Sequence, residues 1–322
     1  MIGRHVSLET ATEGSMEALK AIHELAGIYS EKLDINHRRI CNCPPSHINC
    51  MTAKEWIKAQ LGVWRFSYEA RDIRDKGVHP ATFPISMAKA VISLFSHRGE
   101  LVLDPFVGSG TTLVAARDLE RNAVGFDINA KYVELCEERL QALPVSLPTK
   151  QIPIRDDARH IPRWVEPGTV ALCFTSPPYA NLLNRRRKNK SRRSDQRKNG
   201  QYLKIEQYSQ DPADLGTLPL EEYASEMAKV FAEILPLLKE RAHCVINVPD
   251  MWWEDTRVTI HVALIEALRE VGYELRNVII WDRTNIVNGI GIFGWPSNYI
   301  TMGTTFEYLL DFWRPPARKR TS

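Results

Sequence analysis

The chain lacks the features that mark membrane, secreted and disordered proteins. No apolar run approaches the ~18 residues that a bilayer-spanning helix needs, and residues 1–5 lead into no signal-peptide core. The 17 glycines and 19 prolines among 322 residues are not extreme, which predicts that most of the chain folds. With 44% hydrophobic residues, the chain suits one large α/β domain with additions, or two domains.

Cysteine is scarce, and its six copies form no disulfide framework. Such scattered cysteines are typical of reduced thiols in the cytoplasm, where we expect the protein to work. Three of them lie close to a histidine, in the cluster Cys41, Cys43, His47 and Cys50, which could hold zinc. Its spacing departs from the usual C-x2–4-C pairs of zinc sites, and two ligands with one residue between them are strained. A loop with free thiols is the alternative.

Positive charge is concentrated in one segment. The whole chain carries +3, but residues 185–198 hold nine basic residues and one acidic residue, so the rest of the chain carries −5. A concentrated basic segment is what a polyanionic partner would engage. The residues predicted to contact it are Arg185, Arg186, Arg187, Lys188, Arg192 and Arg193.

Strand-like and helix-like patterns alternate from Pro84 onward, which predicts an α/β fold with a mostly parallel sheet of seven strands and helices on both faces. The predicted strands are Leu101–Leu103, Ala123–Asp127, Gln151–Ile154, Val170–Phe174, Cys244–Val248, Val278–Trp281 and Glu307–Phe312. The predicted helices are Ile85–Ser96, Thr111–Leu119, Ala130–Ala142, Leu220–Lys239 and Thr259–Val271.

Residues 1–78 are predicted as a small helical region that precedes a catalytic domain over residues 79–322. Its helices are predicted over Ser15–Leu33 and Thr52–Trp64, the second with a capping box at its start. Two insertions, residues 180–219 and 283–304, interrupt the later alternation. They should be loops near the carboxyl ends of strands, where open α/β sheets bind ligands.

A glycine motif, Asp104–Thr112, follows the first predicted strand and opens a helix. Gly108 and Gly110 let the backbone approach a ligand that a Cβ would exclude. A dinucleotide fingerprint needs a third glycine, but that position holds Leu113. The motif therefore favours another nucleotide-like cofactor.

Two acidic positions follow the next predicted strands. Asp127 ends one strand, and its carboxylate could accept both hydroxyls of a ribose. Asp157 could accept from an adenine amino group, with the adjacent Asp156 as its rival.

A second motif, Ser176–Tyr179, reads Ser-Pro-Pro-Tyr and follows the apolar run Val170–Phe174. The Ser176 hydroxyl and the Pro177 carbonyl offer two acceptors for the protons of an exocyclic amine, and the two prolines stiffen the turn. The Tyr179 ring can stack on a flat base.

The two motifs, in this order, resemble the amino-methyltransferase family of DNA methylases over roughly residues 79–315. The resemblance implies a Rossmann-like methyltransferase fold and S-adenosylmethionine as cofactor, with no metal in the mechanism. It implies that Phe83 and Pro84 line the cofactor site, that Asp104 and Gly108 face the methionine end, and that Asp127 holds the ribose. The full predicted cofactor set is Phe83, Pro84, Asp104, Phe106, Gly108, Ser109, Gly110, Thr111, Asp127, Ile128, Asp157 and Ala158. The predicted catalytic set is Ser176, Pro177, Pro178 and Tyr179.

The family resemblance predicts a site-specific methylase of the restriction-modification kind that acts on a base flipped out of double-stranded DNA. Serine at position 176 favours N4 of cytosine, and N6 of adenine is the alternative. Methylation at C5 of cytosine would need a nucleophilic cysteine, typically after proline, and the chain has no Pro-Cys dipeptide. An RNA methylase, or a silent cofactor-binding subunit that presents nucleic acid, are further alternatives. A cognate restriction endonuclease would share the recognition site, and the enzyme would be associated with the nucleoid when bound to DNA.

Overall fold

The computed structural model describes residues 32–73, 82–142, 148–180, 211, 213–253, 256–286, 294–295, 299–300 and 304–316. The predicted basic segment, residues 185–198, lies outside these ranges. Within the described residues, the longer helices are α1 (Ala53–Ala59), α2 (Ile85–Phe95), α3 (Thr111–Asp118), α4 (Ala130–Gln141), α5 (Leu220–Ile234) and α6 (Ile260–Val271). Short 3-10 helices cover Ala158–Arg163, Leu215–Thr217 and Leu235–Leu237. None of the helices in this part of the chain has both the length and the apolar character to cross a membrane.

Eight strands form the main sheet, in the order β1-β9-β12-β6-β5-β2-β3-β4. These are β1 (Val63–Arg65), β2 (Leu101–Asp104), β3 (Asn122–Asp127), β4 (Gln151–Arg155), β5 (Val170–Thr175), β6 (Leu238–Val248), β9 (Glu274–Asp282) and β12 (Phe306–Trp313). Two small hairpins pair β7 (Met251–Trp253) with β8 (Thr256–Val258), and β10 (Gly294–Trp295) with β11 (Tyr299–Ile300).

The main sheet is parallel except for β12, which runs antiparallel to both of its neighbours. The chain passes from β2 through β3 to β4, and then returns to place β5 on the other side of β2. The strand order therefore reverses between β2 and β5. Ligands of open α/β sheets bind outside the carboxyl ends of the strands at such a point. The predicted Rossmann-like fold is confirmed, but the main sheet has eight strands rather than the predicted seven, because β1 joins its edge.

The two faces of the sheet pack against different helices. In β2, Leu101 and Leu103 join a buried cluster with residues of α5 and α6, whereas Val102 joins a cluster with residues of α2 and α3. Successive side chains of a strand point to opposite faces, so a strand covered on both sides must be apolar at every position. This explains why β2 and β5 are continuous apolar runs that could be recognised in the sequence.

The N-terminal region contributes a strand to the main sheet. The helix predicted over Thr52–Trp64 begins as expected, because Thr52 and Glu55 form the predicted capping box. It ends at Ala59, and Trp64 lies instead in β1, buried and paired in parallel register with Trp281 of β9. Burial of an indole against the sheet outweighs helix propensity over this short stretch. The division into two regions at residue 78 stays a prediction. The position of β1 shows that residues before this division pair with the main sheet.

Two further helix predictions agree with the structure only in part. The helix predicted over Ser15–Leu33 lies outside the described residues up to residue 31, and Lys32 and Leu33 are not helical. The helix predicted over Leu220–Lys239 ends at Ile234, and β6 begins at Leu238. Pro236 lies between them in a 3-10 turn, where its missing N–H and fixed ring rule out continuation of an α-helix.

Candidate active site

A cleft of about 800 Å³ opens to solvent beside the carboxyl ends of β2, β3 and β5. The residues that line it are Thr82, Phe83, Pro105, Phe106, Val107, Gly108, Ser109, Thr111, Asp127, Ile128, Tyr132, Asp156, Asp157, Ala158, Ser176, Pro178, Ala213, Asp214 and Leu215. Both sequence motifs thus contribute to one cleft, because β2 and β5 are neighbours in the sheet.

The glycine motif forms the floor of this cleft by packing tightly on its surroundings. Gly110 has a left-handed φ of 83° and directly precedes α3. A Cβ at that position would lie 2.2 Å from the sulfur of Cys136 in α4. The next strand also approaches closely, since a Cβ on Gly125 would lie 2.5 Å from the Cγ2 of Val107. The glycines therefore serve close packing of the loop as well as access for a ligand.

Asp127 is held in place by backbone N–H groups of two loops. Gly108 donates to its Oδ2 at 3.0 Å, and Asn129 donates to its Oδ1 at 2.9 Å. Burial raises the pKa of Asp127 to about 7, against the stabilising effect of these two bonds, and the nearby carboxylates of Asp214 and Asp104 raise it further. A ligand that donates hydrogen bonds to Asp127 would relieve the cost of ionising it.

Asp104 links the two motifs below the cleft. Its Oδ1 accepts from the hydroxyl of Thr175 at 2.6 Å and from the backbone N–H of Phe106 at 3.1 Å. Thr175 directly precedes Ser176, so this carboxylate ties the start of the glycine loop to the start of the proline turn. Burial raises the pKa of Asp104 to about 6, against the lowering effect of its hydrogen bonds.

The acidic pair at the end of β4 is already engaged in hydrogen bonds. Both oxygens of Asp157 accept from the Arg159 guanidinium, with Nε at 2.9 Å from Oδ1. Burial opposes ionisation here, but the bonds from Arg159 prevail and lower the pKa of Asp157. Asp156 accepts from the indole of Trp164 at 2.7 Å and bonds the ring of His160 at 2.9 Å. Both carboxylates line the cleft, and the rivalry between them as adenine acceptors stays open.

The described lining of the cleft is acidic. Four lining residues carry carboxylates, namely Asp127, Asp156, Asp157 and Asp214, and none of the lining residues is lysine or arginine. Such a lining is unfavourable for a cofactor that brings several phosphates, and favourable for an organic ligand with a positive charge. The cleft therefore argues against a dinucleotide on electrostatic grounds, in agreement with the missing third glycine.

The Ser-Pro-Pro-Tyr turn places one hydroxyl at the edge of the cleft. Ser176 and Pro178 line the cleft, whereas Tyr179 is only 7% exposed and does not. The Tyr179 hydroxyl lies 2.8 Å from the Ser176 Oγ, and Asn247 donates to the same oxygen at 3.4 Å. Burial raises the pKa of Tyr179, so its hydroxyl is neutral. The stacking role predicted for this ring stays a prediction.

Three polar residues support this turn and were missed by the sequence analysis. The buried Asn247 of β6 also donates to Glu307 of β12 at 2.8 Å, and Glu307 pairs with Arg283 just after β9. All three lie at the edge of the sheet where Ser176 emerges, because β12 begins where β6 ends. Polar residues at the ends of otherwise apolar strand patterns were the available signal.

The remaining predicted cofactor residues divide by their position relative to the cleft. Pro84 and Asp104 are buried behind the lining, and Gly110 packs against Cys136. Phe83 both lines the cleft and packs on Phe174, with ring centroids 5.2 Å apart. The predicted lining members are Phe83, Phe106, Gly108, Ser109, Thr111, Asp127, Ile128, Asp157 and Ala158. The basic residues predicted to bind DNA lie outside the described residues.

Residues 14–138 match the model of the N6/N4 methyltransferase family, which is described as DNA methylase. Type II methyltransferase M.HpaI of Haemophilus parainfluenzae is 39% identical over 80 residues, which are 25% of this chain and 26% of that protein. Type II methyltransferase M.SmaI of Serratia marcescens is 45% identical over 83 residues, which are 26% of this chain and 27% of that protein. The chain thus covers about a quarter of the length of these relatives.

A solved SAM-dependent methyltransferase from Methanosarcina mazei is 10% identical and covers 70% of this chain and 97% of its own, with a TM-score of 0.44. A likeness of this size carries no information about substrate. The sequence matches, in contrast, extend through the glycine motif, since they reach residue 138. The predicted resemblance to the N6/N4 amino-methyltransferase family of DNA methylases is therefore confirmed over residues 14–138, and the type II methyltransferases M.HpaI and M.SmaI each match about a quarter of the chain.

Proposed function

We propose that the protein transfers a methyl group from S-adenosylmethionine to an exocyclic amino group of a base in DNA. The observation that carries the proposal is the meeting of an acidic cleft with the Ser176 hydroxyl at one switch point of the sheet. A sulfonium cofactor carries positive charge at its reactive sulfur, which suits a lining with four carboxylates. The type II methyltransferases that match parts of the chain support the same reaction.

The cofactor would lie across the glycine loop. Asp127 would accept from the ribose hydroxyls, and Asp157 or Asp156 would face the adenine amino group. Phe83 and Phe106 offer apolar surface beside them. When bound, the cofactor supplies the methyl group, and the chain's own residues position it and exclude water.

Ser176 would orient the target amine. The hydroxyl can donate its proton to the Tyr179 oxygen 2.8 Å away while it accepts from Asn247, which leaves one lone pair of Oγ for an amine proton. The Pro177 carbonyl would take the second proton. Held in this way, the nitrogen presents its lone pair to the methyl group, so that positioning supplies much of the catalysis.

We further propose that the target is N4 of cytosine, because serine stands first in the Ser-Pro-Pro-Tyr turn. The experiment is methylation of unmethylated genomic DNA with isotopically labelled cofactor, followed by nucleoside digestion and mass spectrometry. Labelled N4-methylcytosine is the expected product. Labelled N6-methyladenine would exclude the cytosine assignment and keep the reaction class, whereas label in RNA alone would overturn the DNA assignment.

The basic residues 185–198 begin six residues after Tyr179, so the proposal includes double-stranded DNA as the polyanion that they contact. Replacing Arg185, Arg186, Arg187, Arg192 and Arg193 with alanine should weaken DNA binding and flatten its salt dependence while cofactor binding persists.

As part of a restriction-modification system, the enzyme would share its recognition site with a cognate endonuclease. It would then work in the cytoplasm, on the DNA of the nucleoid.

A further inference from the structure

Three cysteines and one histidine converge outside the cleft. The ligand atoms of Cys41, Cys43, Cys50 and His97, which we call the Cys3His cluster, all lie within 4.8 Å of one another. The Cys43 and Cys50 sulfurs are 3.7 Å apart, and the Nδ1 of His97 lies 3.3 Å from the sulfur of Cys41 and 3.8 Å from that of Cys50.

Three of the six ligand-atom separations are close to those around one tetrahedral zinc ion, and all six are within 4.8 Å. Zinc–sulfur bonds of ~2.3 Å and zinc–nitrogen bonds of ~2.0–2.1 Å, at tetrahedral angles, put two sulfurs ~3.8 Å apart and a sulfur ~3.6 Å from a nitrogen. The observed sulfur–sulfur distance of 3.7 Å is close to the first value, and the two sulfur–nitrogen distances of 3.3 and 3.8 Å lie on either side of the second. Three thiolates and one imidazole are also a common ligand set of structural zinc.

The histidine of the cluster is His97 rather than the predicted His47. His97 follows α2 and is 47 residues beyond Cys50 in the chain, so spacing along the sequence could not identify it. The backbone N–H of His47 instead closes a turn by donating to the Pro44 carbonyl at 2.9 Å. The fourth ligand therefore comes from the end of α2, a separate element, while Cys41 and Cys43 stay one residue apart in the chain.

Neighbouring groups hold both sides of the cluster in place. The backbone N–H of Arg98 donates to the Cys50 sulfur at 3.3 Å, and Ile40 donates to the Arg98 carbonyl at 2.8 Å. Gly99 permits this approach, since a Cβ there would lie 2.7 Å from the Arg38 carbonyl oxygen and its φ is 84°. On the other side, the buried Arg121 donates to the carbonyl of Ser96 at 2.7 Å, just before His97. Hydrogen bonds of this kind orient ligands and stabilise thiolates.

The segment that carries the cysteines has little apolar core of its own. Among the described residues 32–52, Ile35 is the buried hydrophobic residue, and the stretch from Arg38 to Thr52 is partly or fully exposed. Such a segment cannot be fixed by burial of apolar surface, and small elements of this kind commonly depend on a bound metal.

We infer that the Cys3His cluster binds one zinc ion that fastens residues 38–52 to the end of α2. The site is structural, because four protein ligands close the coordination sphere. It is also remote from the proposed chemistry: His97 precedes the amino end of β2, whereas the cleft lies beyond its carboxyl end. The inference does not depend on the proposed methyltransferase activity.

Metal analysis of the full-length protein tests the inference directly. Protein purified without chelator from zinc-supplemented cells should contain about one zinc ion per chain, and replacement by cobalt should give the visible spectrum of a tetrahedral site with thiolate ligands. Folded protein with no stoichiometric zinc, or with iron in its place, would overturn the assignment. A Cys43–Cys50 disulfide in freshly purified protein would overturn it as well.

Matched variants separate the two candidate histidines. His97→Gln and Cys50→Ser should each lower the zinc content and lose the cobalt spectrum, and the thermal midpoint of these variants should become insensitive to chelator. His47→Gln should retain zinc and the spectrum of the parent. If a folded His97→Gln variant keeps a full equivalent of zinc while His47→Gln loses it, the cluster defined here is wrong. If His97→Gln fails to fold, the metal content and cobalt spectrum of the parent still decide the question.

Discussion

The two ends of β2 carry opposite kinds of chemistry. At the carboxyl end, the glycine loop lines a cleft together with four carboxylates, and Asp104 lies buried behind it. At the amino end, His97 meets three cysteine sulfurs from the N-terminal segment. One end offers oxygen atoms to an open cleft, whereas the other presents a closed set of soft ligands. The difference indicates that the first end binds an exchangeable organic ligand, whereas the second holds a structural metal ion that anchors the N-terminal segment.

The comparison predicts that loss of the Ser176 hydroxyl alters the chemistry and leaves stability intact, and Ser176→Ala should have the largest effect. We expect the rate of methyl transfer to fall by roughly 10²–10³-fold, because an acceptor that orients the reacting amine is lost. Cofactor affinity and the thermal midpoint should stay at the parent values. Single-turnover assays with labelled cofactor, together with calorimetry, measure these quantities.

Ser86→Ala is the matched control, since the Ser86 hydroxyl bonds the Ser67 carbonyl away from the cleft. Equal rates for Ser176→Ala and the parent would remove Ser176 from the chemistry. A large loss of stability in Ser176→Ala would contradict the expectation that this end of β2 serves chemistry rather than stability.

Asp127→Ala should weaken S-adenosylmethionine binding by ~1.5–3 kcal/mol, or about 10- to 150-fold, because charged hydrogen bonds to the ribose are lost. Isothermal titration calorimetry on the folded variant is the measurement. The exposed Asp34, which lies outside the cleft, provides the control Asp34→Ala. An unchanged dissociation constant for Asp127→Ala would show that the ribose lies elsewhere.

The pH dependence of cofactor binding sharpens the same point. The pKa of Asp127 is raised to about 7 in the free protein, so the carboxylate proposed to accept from the ribose is lost as the pH falls through 7. Affinity should therefore decline by about tenfold per pH unit below 7, until the pKa in the complex is reached. Asp127→Asn should bind weakly with little pH dependence, and a pH-independent parent would contradict the assignment.

The raised pKa has a counterpart in the stability of the free protein. A carboxyl whose folded pKa lies above its unfolded value stabilises the fold below the unfolded pKa, and this contribution is lost as the pH rises through the folded pKa. Asp127→Asn, which carries no charge, should therefore unfold at a higher temperature than the parent at pH 8. The difference should shrink between pH 7 and pH 4, as scanning calorimetry can show.

Tyr179→Phe is expected to have the smallest effect. It removes one hydrogen bond to Ser176 and keeps the buried ring, so the rate should fall by about 2- to 12-fold, which corresponds to ~0.5–1.5 kcal/mol. Asn247 would still bond the Ser176 Oγ in this variant. A loss as large as that of Ser176→Ala would assign Tyr179 a direct role with the substrate.

The sequence by itself determined the central strands β2 and β5 and the motifs that follow them, whereas β1 and the starts of β6 and β9 were not predicted. β2 and β5 are buried on both faces and must be apolar throughout, so these apolar runs and the motifs after them could be recognised in the sequence. The Ser176 turn and the Gly108 loop could be placed at the same edge, because parallel strands end together. The capping box of Thr52 and Glu55 was equally local and was equally predictable.

Only the tertiary structure decided which distant residues meet. The pairing of Trp64 with Trp281 converts part of a predicted helix into an edge strand. Asn247 reaches Ser176 across 71 residues, and His97 replaces His47 beside Cys41 across 56 residues. Local propensity carries no information about such contacts, because they arise from strand order and from the packing of a helix end against a loop. The physical reason is that a sequence motif records spacing along the chain, whereas hydrogen-bond networks and metal ligands depend on distance in space.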